Sequence, residues 1–283
     1  MIRFTADEEG LAFHDLAAGR VRPEPAPPEI EIAPPPYRGK RLLPVVSWLV
    51  TNRLGATGAR ATWRVERRHG PEATRSALEP FGWRLEPERA GRWLLLHGVV
   101  PPAHDLPPPH SFRAGQLTFQ ADYGVFSPER VDAGSALLLE VAAGLAPVEA
   151  VADIGIGYGP LAVSLAAGGA AERAVGTEVD SIAAWLAERN AAAAGVPLQV
   201  TLDADPLSVG RTELTVCNVP THLDARRSAA LMAALAERAR DGRLLAVVHA
   251  ELEGRYAQHL EAARLHVRRH RGDAHVVLDA ERR

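Results

Sequence analysis

Cysteine is nearly absent from this sequence, and so are long apolar runs. Cys217 is the only cysteine among 283 residues, which excludes a disulfide framework and a zinc site built on cysteines. No apolar run approaches the roughly 18 to 20 residues of a membrane span. Acidic Asp7, Glu8 and Glu9 stand where a signal peptide would be basic and then apolar. These absences predict a protein of the reducing cytoplasm.

The chain also lacks an excess of positive charge. Its formal net charge is -3 at pH 7, so no general attraction to nucleic acid or to membranes is predicted, and any site for a polyanion must be local. Apolar residues make up 47% of the sequence, which is enough for a sizeable core. The length predicts one or two domains.

Two proline-rich segments, Arg22–Tyr37 and Pro101–Pro109, indicate where the chain divides. Proline fixes φ and removes a backbone donor, so both segments are predicted to be extended linkers. We therefore predict an N-terminal region over residues 1–110 and a C-terminal domain over residues 111–283.

The stretch Val151–Pro160 is the most informative part of the sequence. A short apolar run leads to Asp153, and three glycines follow at alternate positions, Gly155, Gly157 and Gly159. Glycine allows a sharp turn and the close approach of a ligand, and the proline that ends the stretch suits the first turn of a helix. The pattern predicts a strand, a tight ligand-binding turn and a helix. The alternative is a glycine turn that binds nothing.

Two ligand classes compete for such a turn. A dinucleotide fingerprint would have a third glycine where Pro160 stands, and its pyrophosphate would be repelled by Asp153. A ligand with an ammonium group and no phosphate, such as S-adenosylmethionine, fits better. The next predicted strand, Arg173–Val179, brings Glu178 and Asp180 to its end, where a carboxylate could accept hydrogen bonds from ribose hydroxyls.

Strands and helices alternate on both sides of this stretch. The predicted strands are Leu117–Gln120, Leu198–Leu202, Leu214–Cys217, Leu244–His249 and His275–Leu278. The predicted helices begin near Gly134 or Ser135, span Ile182–Ala194 with Ser181 as N-cap, run from the cap Asp224 to Arg240, and span Leu252–Arg264. This alternation predicts an α/β fold with a doubly wound, mostly parallel sheet.

The N-terminal region is predicted to be a smaller α/β unit with a hairpin in residues 1–20. Its further elements are helices Leu42–Leu54 and Pro71–Phe81 and strands Ala61–Arg67 and Trp93–His97. Basic residues cluster here among three tryptophans: Arg38, Lys40, Arg41, Arg53, Arg60, Arg64, Arg67 and Arg68, with Trp48, Trp63 and Trp83. This mixture is typical of a nucleic-acid surface. The alternative is a tryptophan core beneath a solvated arginine face.

These residues resemble a known family. The segments Gly124–Ser127, Val131–Leu139 and Asp153–Gly159, the acidic pair after the second strand and Asn190 are similar to those of class I S-adenosylmethionine-dependent methyltransferases. Within that class the chain resembles the small domain family, which includes ribosomal RNA guanine-N2 methyltransferases. The resemblance implies a Rossmann-like, seven-stranded sheet, and it implies that the N-terminal region is a shortened, cofactor-free copy of such a domain.

The resemblance also implies a set of cofactor-binding residues. Asp153, Gly155, Gly157 and Gly159 would hold the methionine end of S-adenosyl-L-methionine, Glu178 with Val179 the ribose, Asp205 the adenine edge, and Phe126 and Ser127 would close over the cofactor beside Asn218.

The implied catalytic motif is altered in this chain. The family has Asn-Pro-Pro followed by Phe or Tyr, whereas here the sequence is Asn218, Val219, Pro220 and Thr221. In the family the Asn side chain and a neighbouring carbonyl accept hydrogen bonds from an exocyclic amine, and the aromatic ring stacks on the base. Thr221 cannot stack. His222 could do so one position later, although a histidine at the start of a loop is more often simply solvated.

The sequence therefore predicts an S-adenosylmethionine-dependent N-methyltransferase that acts on an exocyclic amine of guanine in ribosomal RNA, with RNA as partner and with neither a metal nor a membrane. A protein-glutamine or small-molecule methyltransferase remains an alternative, because the altered motif weakens the argument for base stacking. A third hypothesis is a cofactor-binding or RNA-binding protein that has lost catalysis.

Overall fold

The computed structural model describes residues 2–35, 41–66 and 71–282 of the chain. Two compact units make up the protein. The N-terminal unit comprises Met1–Ser111 with Ala121–Pro128, and the C-terminal unit comprises Phe112–Gln120 with Glu129–Arg283. The assignment of residues 1–110 and 111–283 to two functional domains remains a prediction.

The N-terminal unit contains six strands and three α-helices among its described residues before Ser111. In chain order they are β1 (Ile2–Arg3), β2 (Leu11–Ala12), α1 (Phe13–Ala18), β3 (Glu29–Ile32), α2 (Leu42–Trp48, continued by a π-helical turn Leu49–Arg53), β4 (Arg60–Glu66), α3 (Pro71–Leu78), β5 (Glu86–Ala90) and β6 (Trp93–Val99). Four strands form one sheet in the order β3-β4-β6-β5. Alternate residues of β4, including Trp63 and Val65, are buried, as expected for a sheet with one face on the core.

Two predictions for this unit are wrong. Residues 1–20 do not form a hairpin, because β1 and β2 pair in parallel and α1 follows directly. Phe13 and Leu16 lie one helical turn apart and are both fully buried, so helical spacing prevails over the loose alternation. The segment Arg22–Tyr37 is not all linker, because Ile30 and Ile32 alternate with glutamates and form β3 alongside β4.

The three tryptophans among the arginines are core residues. Trp48, Trp63 and Trp83 are exposed by only 8%, 0% and 2%, and the rings of Trp63 and Trp83 meet edge to face at 5.2 Å. The sequence pattern was ambiguous because tryptophan spacing does not show which face of a strand or helix is covered. These rings are therefore not available to stack on bases.

The described arginines of the basic cluster have local partners. Arg41 forms an ion pair with buried Asp122, and Arg64 lies 3.2 Å from Glu31. Arg53 lies over the ring of Trp48, and Arg60 lies 3.9 Å from Glu29. The remaining members Arg38, Lys40, Arg67 and Arg68 lie outside the described residues. An RNA-gripping role of this unit remains a prediction.

The C-terminal unit is built on one seven-stranded sheet. Its elements in chain order, preceded by the hairpin β7 (Ser111–Ala114) and β8 (Leu117–Gln120), are α4 (Ala133–Ala142), β9 (Val148–Ile154), α5 (Pro160–Ala167), β10 (Ala171–Glu178), α6 (Ser181–Ala194), β11 (Leu198–Leu202), β12 (Leu214–Asn218), α7 (Ala225–Asp241), β13 (Arg243–His249), α8 (Glu253–Ala262), β14 (Leu265–Arg271) and β15 (His275–Arg282). The strand order is β11-β10-β9-β12-β13-β15-β14.

Helices cover both faces of this sheet. Alternate residues of β13, namely Leu244, Ala246 and Val248, join a buried cluster with residues of α7 and α8. Because successive strand residues face opposite sides, Leu245 and Val247 face the other side, where α4 packs against β13 and β15. The five strands from β11 to β13 are parallel, whereas β15 pairs in antiparallel fashion with both β13 and β14. The doubly wound, mostly parallel sheet is confirmed.

Two details of the C-terminal prediction are wrong. Strand β14 was not predicted, because its alternating basic residues do not resemble a buried strand. The sheet order places it at an edge, where one side is exposed to solvent. The N-cap of α6 is Asp180 rather than Ser181, since the Asp180 carboxylate accepts hydrogen bonds from the backbone N–H groups of Ile182 and Ala183. No helix among the described residues is long and apolar enough to cross a membrane.

Candidate active site

Three parts of the predicted site lie at the carboxyl ends of three adjacent strands. From the central strand β9 the chain proceeds to β10 on one side, and it later returns to β12 on the other side. This change of direction is the switch point at which open α/β sheets bind ligands. The glycine loop follows β9, Glu178 ends β10 and Asn218 ends β12.

The backbone of the glycine loop is shaped for a ligand that approaches closely. Gly155 and Gly157 have φ of 73° and 60°, in the left-handed region that favours glycine. A Cβ atom added at either position would meet nothing within 4 Å, so the space beside the loop is open. The N–H groups of Gly155 and Ile156 both donate to the carbonyl of Thr177, which fixes the loop on β10.

Gly159 serves a different purpose. It has φ of 87° and caps α5, and a Cβ atom there would lie 3.1 Å from Cγ2 of Val163 and 3.4 Å from Cβ of Ala187. The missing side chain therefore lets α5 and α6 pack closely. A cofactor contact at Gly159 remains a prediction.

Asp153 lies beneath the loop rather than at its surface. It is still part of β9, paired with Gly176 on one side and with Val216 on the other, and it is only 1% exposed. Its Oδ2 accepts a hydrogen bond from the N–H of Ala162 at 3.1 Å. The residue is therefore inside a strand covered on both faces, and its role at the methionine end remains a prediction. It can act there through its charge.

Burial raises the pKa of Asp153 to about 7, the hydrogen bond from Ala162 opposes this shift, and the nearby carboxylate of Glu178 adds to it. A cation bound above the loop would favour the ionised form. The site therefore holds a carboxylate whose charge responds to pH near neutrality.

Glu178 binds the glycine loop to the start of α6. Its Oε2 accepts a hydrogen bond from the N–H of Gly157 at 2.7 Å, and its Oε1 accepts from Val179 at 2.8 Å and Asp180 at 3.0 Å. The residue is 8% exposed. The sequence indicated a ribose acceptor at this position and did not show that the same carboxylate shapes the loop. The ribose contact remains a prediction.

Two exposed apolar side chains follow strands β10 and β11. Val179, directly after β10, is 48% exposed, and Leu207, five residues after the end of β11, is 39% exposed. Asp205 is also exposed, and its Oδ1 accepts a hydrogen bond from the N–H of Leu207 at 2.9 Å. Leu207 lies beside Thr212 and Asp241, near the amino ends of β12 and β13. The exposed Val179 at the carboxyl end of β10 suits a flat, apolar ligand group such as a purine.

The side chain of Asn218 is held in one orientation by Ser135 of α4 and by Asp132, the N-cap of that helix. Its Nδ2 donates to Oδ1 and Oδ2 of Asp132 at 3.2 and 3.1 Å and to Oγ of Ser135 at 3.0 Å. Since both donor directions of the amide are used, Oδ1 must point away from Asp132. No hydrogen bond among the described residues engages Oδ1. Neither Asp132 nor Ser135 was predicted as a site residue.

The other residues of the altered motif differ in their exposure to solvent. Val219 is 3% exposed, and its N–H donates to the carbonyl of Val247 at 3.0 Å, which continues the pairing of β12 with β13. Pro220, Thr221 and His222 are exposed, and Thr221 and His222 form a turn. The proposed roles of Val219, Pro220 and His222 remain predictions.

A profile of the family described as "methyltransferase small domain" matches residues 116–274 of the chain, which is more than half of its length. The chain belongs to this family. The predicted enzyme class, an S-adenosylmethionine-dependent methyltransferase, and the predicted cofactor, S-adenosyl-L-methionine, are therefore confirmed.

One solved structure supports the fold of this methyltransferase, and a second is similar over a shorter part of the chain. The T. thermophilus 16S rRNA N2 G1207 methyltransferase (RsmC), in complex with AdoMet and guanosine, is 24% identical, with a TM-score of 0.68 over 91% of this chain and 74% of that chain. A ribosomal protein L11 methylase from Lactobacillus delbrueckii subsp. bulgaricus is 20% identical, with a TM-score of 0.48 over 62% of this chain and 100% of that chain. No curated protein sequence matches the chain. The first likeness confirms the predicted fold class.

Phe126 and Ser127 of the methyltransferase belong to the N-terminal unit. Phe126 is the most exposed of the large apolar residues that the structure describes as exposed, at 74%, and Ser127 has a positive φ of 48°. An exposed ring on a strained turn is consistent with a residue that covers a ligand. Closure over the cofactor remains a prediction.

Asn190 supports the glycine loop of the methyltransferase from α6. Its Oδ1 accepts a hydrogen bond from the N–H of Gln120 at 2.7 Å, and its Nδ2 donates to the carbonyls of Gln120 and Tyr158 at 3.0 and 2.8 Å. The sequence marked Asn190 only as part of the resemblance. Within residues 2–35, 41–66 and 71–282, no group of three or more His, Cys, Asp and Glu side chains could hold a metal ion.

Proposed function

We propose that this protein is an N-methyltransferase that acts on the exocyclic amine of a guanine in ribosomal RNA. The observation that carries the proposal is the orientation of Asn218, whose Nδ2 is bound by Asp132 and Ser135 so that Oδ1 is left as an acceptor at the switch point. An oxygen acceptor there suits a substrate that donates an N–H. A hydroxyl group as methyl acceptor has only one hydrogen to donate to this oxygen, and a carboxylate has none.

The residues of the loop fit the cofactor. Gly155 and Gly157 leave open space where a Cβ would point, so a ligand can lie against the backbone. The buried carboxylate of Asp153 supplies negative charge beneath that space and suits the ammonium group of the methionine end. Glu178 would face the ribose hydroxyls, with Val179 and Asp205 beside the adenine.

S-Adenosylmethionine, when bound, supplies a methyl group whose bond to sulfur breaks as its bond to nitrogen forms, the sulfur keeping the bonding pair and the amine losing one proton to water. The protein contributes alignment more than acid or base catalysis. Oδ1 of Asn218 accepts one amine hydrogen and the carbonyl of Val219 the other, so that the nitrogen lone pair faces the methyl group. Asn218 ends strand β12 and Val219 follows it directly, so the strand holds both groups rigidly.

The nature of the acceptor is supported by two further observations. The structurally similar T. thermophilus protein is described as a 16S rRNA guanine-N2 methyltransferase and was solved with guanosine. The exposed turn at Thr221 and His222 leaves room for a planar base, and His222 is the ring nearest in sequence that could stack on it. A base inside a duplex must first be unstacked to reach such a site.

The proposal is tested with labelled S-adenosylmethionine and three acceptor pools: unmethylated 30S subunits or ribosomal RNA, a protein extract, and a small-molecule extract. We expect label in RNA, recovered as N2-methylguanosine after nucleoside digestion. Asn218→Ala should bind the cofactor within about twofold of wild type and should transfer about 100-fold more slowly, because a misplacement of about 1 Å has that effect.

Label in the side-chain amide of a protein glutamine would overturn the RNA proposal in favour of the alternative enzyme. One observation favours that alternative: Thr221 stands where a stacking ring would be needed for a base but not for a small amide. Equal transfer rates in wild type and Asn218→Ala would remove Asn218 from the mechanism.

A further inference from the structure

We propose that Asp132 is a positioning residue for methyl transfer, which sets the orientation and the acceptor strength of the Asn218 amide. This inference rests on the proposed function, because it assigns a task to the same site. Asp132 ends the segment before α4 and caps that helix, with Oδ1 accepting hydrogen bonds from the N–H groups of Gly134 and Ser135 at 3.0 and 3.3 Å. The same carboxylate accepts from Asn218 through both oxygens.

The placement of Asp132 is rigid. A Cβ atom at Gly134 would lie 3.0 Å from Cδ2 of His275, 3.1 Å from Oδ1 of Asp132 and 3.3 Å from Cγ2 of Val247. The start of α4 is therefore packed directly on the ends of β13 and β15. Because Gly134 has no side chain in the first turn of α4, the cap of this helix lies within hydrogen-bond reach of the neighbouring strand β12, where Asn218 lies.

The contact decides which end of the Asn218 amide faces the acceptor. An asparagine amide has one donor end and one acceptor end, and only the acceptor end can take a hydrogen from an amine. With Oδ1 turned inward, it would face the Asp132 carboxylate oxygen to oxygen, and the NH2 would repel the N–H donors of the acceptor. The carboxylate thus excludes the unproductive orientation.

The contact also strengthens the acceptor. Hydrogen bonds that donate to a carboxylate are charge-assisted, and chains of hydrogen bonds polarise one another. Electron density drawn toward the carbonyl end makes Oδ1 of Asn218 a stronger acceptor for the amine. Asp132 acts only through Asn218 and touches neither methyl donor nor acceptor in this role.

The test is a double-mutant cycle at the two positions. Asp132→Asn keeps the shape and the capping oxygen but sets an NH2 against Nδ2 of Asn218, donor to donor. We expect methyl transfer at saturating substrate to fall by about 30-fold or more, with the cofactor Kd within about twofold of wild type. Asn218→Asp alone sets two carboxylates together and should also be impaired.

The double variant Asp132→Asn with Asn218→Asp restores a donor against an acceptor and leaves one carboxylate oxygen for the amine. It should transfer at least about tenfold faster than the slower single variant, which a merely structural role of Asp132 would not produce. The matched control is Asp224→Asn at the cap of α7, where the side chain accepts from the N–H of Arg227 at 2.8 Å. This control should transfer within about twofold of wild type.

A second measurement is independent of the acceptor. In the wild type the side-chain amide protons of Asn218 should give one pair of NMR signals that exchange slowly with solvent, and Asp132→Asn should broaden or shift them.

If wild type methylates protein rather than RNA, the proposed function fails, and the double-mutant cycle is judged by the same ratios of transfer rates on that protein. If it methylates nothing, the NMR signals alone decide. Asp132→Asn transferring within threefold of wild type, a double variant no faster than the slower single variant, or unchanged amide signals would overturn the inference.

Discussion

The carboxylate of Glu178 accepts a hydrogen bond from the backbone N–H of Gly157 at 2.7 Å, across the gap between the end of one strand and the loop that follows its neighbour. The residue therefore has a structural task before any ligand binds. With Val179 and Asp180 as further donors, one side chain joins the glycine loop, the end of β10 and the cap of α6.

Removal of this side chain should weaken cofactor binding. Glu178→Ala loses the acceptor for three N–H groups and the proposed ribose contact, for which we expect a loss of about 1.5 to 3 kcal/mol, or roughly 10- to 150-fold in affinity. Calorimetry with S-adenosylhomocysteine measures it. The control is Glu172→Ala, an exposed glutamate on the same strand. Wild-type affinity in Glu178→Ala would remove this residue from the cofactor site.

The buried carboxyl group of Asp153 should make the stability of the protein depend on pH. Its folded pKa of about 7 lies above the usual value, so the folded state binds the proton more tightly than the unfolded state. The free energy of unfolding should therefore fall as pH rises from about 4 to 7, with the full loss present above 7. Asp153→Asn has no ionisable group at this position, so its stability does not change with pH through this residue. Its free energy of unfolding relative to that of wild type should therefore rise on the order of 2 kcal/mol between pH 5 and pH 8.

Urea denaturation of the cofactor-free proteins at the two pH values measures this difference. Because the other titrating groups are the same in both proteins, the comparison isolates Asp153. A difference in stability that stays constant with pH would show that the carboxylate is not buried as the structure has it.

Substitutions at Thr221 test whether the methyl acceptor is a planar base. The turn at Thr221 is exposed, so Thr221→Phe can be accommodated, and a new stack worth about 1 to 3 kcal/mol should tighten RNA binding. Val219 should be left unchanged, because Val219→Pro would remove its hydrogen bond to Val247. Thr221→Leu is the control for added apolar area without a ring. Abolished transfer in Thr221→Phe alone would indicate a site reshaped for a smaller acceptor.

The buried hydrogen bonds of Asn190 predict that a substitution there lowers the stability of the protein, which the family resemblance alone does not predict. The isosteric change Asn190→Asp sets a carboxylate oxygen against the carbonyls of Gln120 and Tyr158 in a residue that is 2% exposed. We expect a loss of about 2 to 4 kcal/mol in the free energy of unfolding. Gln199→Glu, a comparable change at an exposed position of β11, should be nearly neutral. Equal stability of the two variants would contradict the buried network.

By itself the sequence determined the C-terminal fold, since strand and helix periodicity and the glycine stretch are local features of the chain. It also predicted a site with Gly157, Glu178 and Asn218, which the fold brings to the ends of adjacent strands. Only the tertiary structure showed that Asp153 is covered, that Glu178 shapes the loop, and that Asp132 orients Asn218. Asp132 and Asn218 are 86 positions apart. Their contact depends on helix α4 packing against the ends of β13 and β15, and a contact between such distant residues leaves no periodic signal in the sequence.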